Sequence, residues 1–346
     1  MPPEWGAHLA TYLVWPHNRD TWPGKFEAIP PIFAQMAAAI AHFEPVRILV
    51  PEEAKVAQIR EAIINAPAPD RAPVRIDRIE LLPIATNDSW IRDYGPIFVN
   101  CSDGGTQAQI ATAWRFNSWG EKYGDYSLDN LVSRRLAERF GFDLVQPGIV
   151  LEGGSIEVNG AGSLLTTESC LLNRNRNPGL SRSEIEEYLR VYLGVEQIFW
   201  LGAGIAGDDT DGHVDDLARF TAPDMIVTVI EEDPADDNYA PLQDNLRRLQ
   251  AMRNRHGGAF RIAKLPMPAA VYEGDTRVPA SYANYYVVNG GVLMPSFGCA
   301  ADKPAQATLE RLFPGRRVVT IPSRELVWGL GAIHCLTQQH PAAASR

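Results

Sequence analysis

Three runs of this chain carry residue types that could do covalent chemistry together. Toward the C-terminal end, Gly331-Ala332-Ile333-His334-Cys335-Leu336-Thr337-Gln338-Gln339 sets a cysteine in a turn-and-strand context, followed by polar residues instead of a continuing apolar strand. A thiol placed so is suited to a pocket floor. A second run, Asp211-Gly212-His213-Val214-Asp215-Asp216, offers a histidine two residues before an aspartate. At a strand entrance that spacing projects both side chains from one face, where they could touch one substrate. The third run, Trp90-Ile91-Arg92-Asp93-Tyr94-Gly95-Pro96, holds a carboxylate between a tryptophan and a turn that would fix it at a strand start. A nucleophile, a base and carboxylates together suit a thiol-dependent enzyme acting on a cation.

Each run also has a plainer local reading. Asp-Gly-His is a turn sequence, and Arg92 and Asp93 would make a buried ion pair. Glu152 precedes Gly153-Gly154, whose small size permits close backbone approach to a ligand, yet a strand-end carboxylate bonded to turn amides fits as well. A buried, inert thiol is the commonest fate of an intracellular cysteine. A metallohydrolase built on His213, Asp215, His334 and Cys335 is a further alternative, although HxH, HExxH and CxxC spacings are absent.

Composition narrows the classes. The 346 residues carry a formal net charge of -10, with 45% hydrophobic and 21% charged residues, an ordinary globular balance able to bury a large core. The acidic balance argues against a nucleic-acid surface and favours a cationic small molecule through long-range steering. Met1-Pro2-Pro3-Glu4-Trp5 is neither a basic leader nor an apolar signal segment, and no apolar run approaches the roughly 20 residues that cross a bilayer. A cytoplasmic protein with no membrane partner is expected. Cys101, Cys170, Cys299 and Cys335 show no paired spacing and read as reduced thiols. Assembly into a homo-oligomer is left open.

The elements that must position these runs alternate along the chain. Helical spacing covers 26–43, 52–64, 127–140 from a Ser127 cap to a Gly141 stop, 181–193 from a Ser-Arg-Ser-Glu capping box, 241–254 and 303–312. Strands are expected at 47–50, 79–84, 96–99, 108–113, 149–151, 155–159, 163–167, 197–201, 216–221, 225–229, 261–265, 284–295, 317–321 and 332–337, with Asp103-Gly104-Gly105 as a hairpin signal. No Gly/Ser/Pro linker divides them, so residues 1–346 are expected to form a single catalytic α/β domain. Glu152-Gly153-Gly154-Ser155, Asn289-Gly290-Gly291-Val292 and Gly329-Leu330-Gly331-Ala332 echo one another beside strands, which suggests a ring of similar modules.

Taken together, Asn87-Asp88-Ser89-Trp90-Ile91-Arg92-Asp93-Tyr94-Gly95-Pro96, Leu151-Glu152-Gly153-Gly154-Ser155, the His213 run and the Cys335 run resemble the agmatine deiminase and bacterial-type peptidyl-arginine deiminase family of guanidine-modifying enzymes. The likeness extends to Pro3-Glu4-Trp5, Trp15-Pro16, Phe116-Asn117-Ser118-Trp119-Gly120 and Thr167-Glu168-Ser169-Cys170-Leu171-Leu172-Asn173-Arg174-Asn175-Arg176-Asn177-Pro178. It implies a five-bladed β/α propeller (pentein) with pseudo-fivefold repeats around a central cavity, with no metal and no organic cofactor. It also implies hydrolysis of a guanidine, agmatine plus water giving N-carbamoylputrescine and ammonia, with peptidyl-arginine or another guanidine as the alternative substrate. A non-catalytic binding protein on the same fold is the more remote alternative.

By this resemblance Cys335 is the nucleophile, His213 the acid and base, Asp93 and Asp215 the guanidinium ligands, and Glu152 a further catalytic carboxylate near His213. Carboxylates hold a planar guanidinium by paired charge-assisted hydrogen bonds, which would keep its carbon still for a thiolate. At the far end of such a substrate, Trp90 and Trp119 could wall an apolar channel and Asp209 could meet a distal ammonium. Tryptophans are more often core, and Asp208-Asp209 reads equally as a solvated turn.

Overall fold

The computed structural model describes residues 1–68, 72–103 and 106–343. It is an α/β structure in which one sheet pattern recurs five times. In each sheet a strand pairs antiparallel with a second, which runs parallel to a third. Four sheets follow chain order: Ile97–Asp103, Thr106–Thr112 and Asp143–Val145; Glu157–Val158, Ser163–Thr167 and Gln197–Leu201; Ala218–Ala222, Met225–Ile230 and Arg261–Pro266; Tyr286–Val288, Gly291–Ser296 and Arg317–Pro322. The fifth is made from both ends of the chain. Thr337–Pro341 lies antiparallel to His8–Val14, which is parallel to Val46–Val50, itself parallel to Ile79–Pro83.

Parallel neighbours need a crossover of a dozen or more residues, so each sheet carries a helix between its second and third strands. These are Ile29–Phe43, Val132–Phe140, Arg182–Leu193, Tyr239–Ala251 and Asp302–Leu312. Arg182–Leu193 begins at the expected capping box, Ser181 with Glu184, and stops at left-handed Gly194. Helix faces such as Ile185, Leu189 and Leu193 are buried in the apolar clusters beside the sheets.

Several local expectations are corrected. Ser127 caps no helix, because the helical turn starts at Asp129 and the α-helix at Val132; Gly141 does end it, at φ 72°. Residues 149–151 form only a bridge between Arg115 and Val150. Residues 214–216 make a 3-10 turn ahead of the strand Ala218–Ala222, so His213 and Asp215 are not on one face of a strand entrance. Residues 333–336 are a turn, and the strand starts after Cys335. The glycine echo does not mark the repeat: Asn289-Gly290 is a hairpin turn, Gly153–Ser155 a 3-10 turn, and Gly329 the end of another. In the expected Asp103-Gly104-Gly105 hairpin, Gly104 and Gly105 lie outside the described residues.

A charged set is buried along with the apolar core. Glu4, Arg92, Glu157, Arg219 and His334 are all nearly inaccessible. Buried charges are tolerable only when paired and hydrogen-bonded, and here Arg219 joins Glu157 at 2.7 Å and Glu4 at 2.8 Å. No described helix is long and apolar enough to cross a membrane.

Candidate active site

A cavity of about 510 Å³ is lined by Trp90, Asp93, Trp119, Tyr123, Asp209 and Cys335 among others. Asp20, Asp88, Asp125 and Asp129 also line it, whereas among the described residues no arginine, lysine or histidine does. His213, Asp215 and Glu152 are wholly buried and are not among the lining residues. Trp90 and Trp119 are core residues and cavity walls at once, at 4% and 8% exposure.

The turn 333–336 sets Cys335 in place. Its Sγ accepts from Asn284 Nδ2 at 3.1 Å and lies 3.7 Å from Asp215 Oδ2, while Asn284 Oδ1 accepts from the His334 amide at 3.0 Å. Asp93 sits on the single helical turn Ile91–Tyr94. One of its oxygens accepts from the Gly154 amide at 3.0 Å and the other from Trp119 Nε1 at 2.9 Å. Its neighbour Arg92 serves the buried charged set, lying 3.6 Å from Glu4, and the expected Arg92/Asp93 pair does not form.

His213 precedes the 3-10 turn, and its Nδ1 lies 3.8 Å from Asp93 Oδ1. Among the described residues neither ring nitrogen has a hydrogen-bond partner, and the same is true of Glu152 Oε2 and Asp215 Oδ1. Buried polar atoms are nearly always satisfied, so these orphans point to a site awaiting a polar ligand. The other Glu152 oxygen accepts from Arg176 at 2.6 Å, and the other Asp215 oxygen lies 2.7 Å from His334 Nδ1. Asp209 accepts from the Tyr123 hydroxyl, and Lys122 bonds the Asp209 carbonyl and pairs with Asp211 at 2.8 Å.

Burial and crowding of like charge set the protonation states. Burial, with Asp215 and Glu152 nearby, pushes the Asp93 carboxyl up to about 6 against the opposing pull of His213 and Trp119. Burial first, then Asp215, Asp216 and Asp93, holds the Cys335 thiol well above its usual range. Burial alone would lower His213, but Asp93, the Cys170 thiol and Asp215 outweigh it and hold it well above its ordinary value. The unliganded site therefore holds a neutral thiol and an imidazolium that share Asp93 and Asp215 as neighbours.

Two triads of potential metal ligands lie within 4.8 Å, Glu152 with Cys170 and His213, and Asp215 with Asp216 and Cys335. Neither is the set His213, Asp215, His334 and Cys335. Both ring nitrogens of His334 are taken up by carboxylates, at 2.7 Å from Asp215 and 2.7 Å from Glu4. Arg176 on Glu152 further opposes a cation in the first triad.

Residues 1–341 match the Porphyromonas-type peptidyl-arginine deiminase family. The chain belongs to this family. It is 39% identical to the agmatine deiminase of Stutzerimonas stutzeri, over 99% of this chain and 95% of that protein. A solved agmatine deiminase of Enterococcus faecalis superposes with TM-score 0.87 at 32% identity, covering 99% of this chain and 95% of that one. A C. jejuni agmatine deiminase solved with substrate bound gives TM-score 0.86 at 30% identity, covering 99% and 96%.

Several residues of this deiminase-family site escaped sequence reasoning. Asn284 touches the thiol but sits in an apolar stretch with no motif around it. Glu4, His334 and Arg176 lie inside runs that carry the family likeness, yet only the folded chain shows what they bond. Cys170, read from the sequence only as a reduced thiol, lies with its sulfur within 4.8 Å of a His213 ring nitrogen and a Glu152 oxygen.

The backbone is strained around the cavity. Ser118, Trp119, Glu121, Asp211 and Leu330 are the non-glycine residues with positive φ among those described, and Ser118, Trp119 and Leu330 line the cavity. Strain of this kind persists where surrounding structure over-determines it, as at ligand clamps. Gly154 is needed for a different reason, close approach. A Cβ there would stand 2.5 Å from His213 Nδ1, 2.9 Å from Asp93 Oδ1 and 3.1 Å from Asp215 Oδ2. Gly154→Ala is expected to lower kcat/KM by about 100-fold, because displacements near 1 Å cost that much. Steady-state kinetics beside a circular-dichroism melt check this, and an active, well-folded variant would contradict the packing.

Proposed function

We propose that this enzyme hydrolyses agmatine to N-carbamoylputrescine and ammonia through a covalent adduct on Cys335. The observation that carries the reading is the cavity itself. A thiol and two tryptophans share its wall with several aspartates and, among the described residues, no lining cation, so it is matched to an elongated cation with a reactive carbon near sulfur. The family's agmatine deiminases support the same substrate.

In this reading Asp93 and Asp215 receive the guanidinium N–H groups, Asp215 through the oxygen that lacks a partner. The bound cation offsets the carboxylates that hold the thiol neutral, and Cys335 gives up its proton to solvent through the cavity it lines and attacks the guanidinium carbon. The C–S bond forms; His213, already an imidazolium, gives its proton to the departing nitrogen, and the C–N bond breaks as ammonia leaves. A thiouronium remains on sulfur. Neutral His213 then takes a proton from water, whose oxygen attacks the same carbon; as the C–S bond breaks, the hydroxyl proton of that adduct returns to the sulfur, releasing the ureido product and restoring the thiol. Glu152, paired with Arg176, stands within 4.8 Å of the His213 ring, and no metal or organic cofactor enters this reading.

The whole chain acts as one catalytic domain in this proposal, with its five similar sheets closing as a five-bladed β/α propeller. The pairing of Thr337–Pro341 with His8–Val14 supports closure. A cytoplasmic location and a small-molecule partner, without nucleic acid or membrane, accompany the reading.

Because Asp93 titrates at about 6 when the site is empty, a cation must displace its proton below that pH. In a Cys335→Ser variant, agmatine affinity should rise by nearly tenfold per unit below about pH 6 and level off above it. Calorimetry in two buffers of different ionisation enthalpy should show close to one proton released near pH 5. A pH-independent affinity would remove Asp93 from the binding step. The function is tested by ureido product formation from agmatine, free arginine and arginyl peptides in parallel. Product from another guanidine but none from agmatine overturns it.

A further inference from the structure

His334 precedes the nucleophile, and its ring is spanned by two carboxylates. Nδ1 lies 2.7 Å from Asp215 Oδ2 and Nε2 lies 2.7 Å from Glu4 Oε2. All three residues are buried. Glu4 is ionised by its setting: its Oε2 accepts from Arg219 at 2.8 Å with Arg92 at 3.6 Å, and its Oε1 accepts from the Val287 amide at 2.8 Å. Carboxylates are acceptors only, and a neutral imidazole has one N–H. Two carboxylates at hydrogen-bonding distance from both nitrogens require two donors.

We propose that His334 is a buried imidazolium acting as a positioning residue, fixing one oxygen of Asp215 so that the other is presented to the guanidinium, and that Glu4 holds it in this state. The role rests on the reading of Asp215 as a guanidinium ligand; the protonation state does not.

The other groups facing the ring agree with this arrangement. Arg92 donates to the His334 carbonyl at 3.3 Å and not to the ring, the Tyr286 ring lies tilted at 55° with its centroid 6.3 Å away, and Arg219 is bound to Glu4 and Glu157. Asp215 is held below its ordinary value: burial opposes this, but His334, His213 and Arg219 outweigh it. The consequence is a link from the Pro3-Glu4-Trp5 segment to the substrate. Glu4 orients His334, His334 holds Asp215 Oδ2, and Asp215 Oδ1 is left free for the guanidinium.

Nitrogen NMR of the intact enzyme, with histidine labelled in the ring, tests the protonation directly. At neutral pH, His334 should show both ring nitrogens protonated, its resonances assigned by their loss in His334→Gln and their displacement in Glu4→Gln. A single protonated nitrogen overturns the proposal. In kinetics, His334→Gln should reduce kcat/KM for agmatine at least tenfold, mostly through KM. Glu4→Gln, which leaves His334 only one anionic partner, should make kcat/KM fall at lower pH on the alkaline side than in the parent enzyme. A KM within twofold of the parent in a folded His334→Gln protein, with an unmoved pH profile in Glu4→Gln, also overturns it. If agmatine yields no product in the parent enzyme, the substrate reading fails, and the NMR result still decides the state of His334.

Discussion

Replacing Cys335 with alanine is expected to abolish deimination, by at least about 10⁴-fold in kcat, while the protein folds and binds substrate. Alanine removes the atom that forms the covalent bond, and neither Asn284 nor Asp215 offers a substitute at that point. Serine keeps an acceptor for Asn284 Nδ2 but should be nearly as inactive, because an alcohol ionises far less readily than a thiol. The environment sharpens that difference. Burial and three nearby aspartates already hold the Cys335 thiol well above its usual range, so only a nucleophile whose proton a bound cation can help expel will work. Ammonia release and ureido product should both vanish, and circular dichroism and agmatine binding should be preserved. Substantial ureido product from Cys335→Ala would sink the covalent mechanism and leave His213 activating water directly.

The sequence made the repeated strand and helix alternation legible because each crossover helix carries apolar positions at helical spacing, and two of them end on local signals, at Gly141 and at Ser181 with Gly194. It could not show that Thr337–Pro341 pairs with His8–Val14, since register between distant strands leaves no local trace. Cys335, His213, Asp93 and Asp215 stood out by residue type within short runs. Even so, the geometry assigned to His213 and Asp215 was a strand, and the chain forms a 3-10 turn there. Asn284 was invisible for a physical reason: its contact with sulfur spans 51 positions, and an asparagine among tyrosines and valines reads as the ordinary first residue of the expected strand 284–295. Glu4 and His334 were hidden likewise, because a buried carboxylate and a buried ring are recognised only by what they face.

Agmatine is expected to be preferred over free arginine by about 10³-fold or more in kcat/KM. The two share the guanidinium and the apolar stem; arginine adds an α-carboxylate beside its amine. Among the described residues no arginine, lysine or histidine lines the cavity to receive that group. Lys122, the cation nearest Asp209 in these bonds, is held by the Asp209 carbonyl and by Asp211 at 2.8 Å. An unpaired carboxylate there would be desolvated and would face Asp209 and its neighbours, a loss of several kcal/mol before any partial solvation. The ammonium of agmatine instead finds a carboxylate that already accepts from Tyr123. Asp209→Asn should raise the Michaelis constant for agmatine about 10- to 100-fold, the worth of a hydrogen bond to a charged group, and leave turnover of a guanidine lacking the distal amine nearly unchanged. Equal efficiency toward arginine and agmatine in the intact enzyme would assign the distal aspartates another task and favour a deiminase acting on arginine or peptidyl arginine.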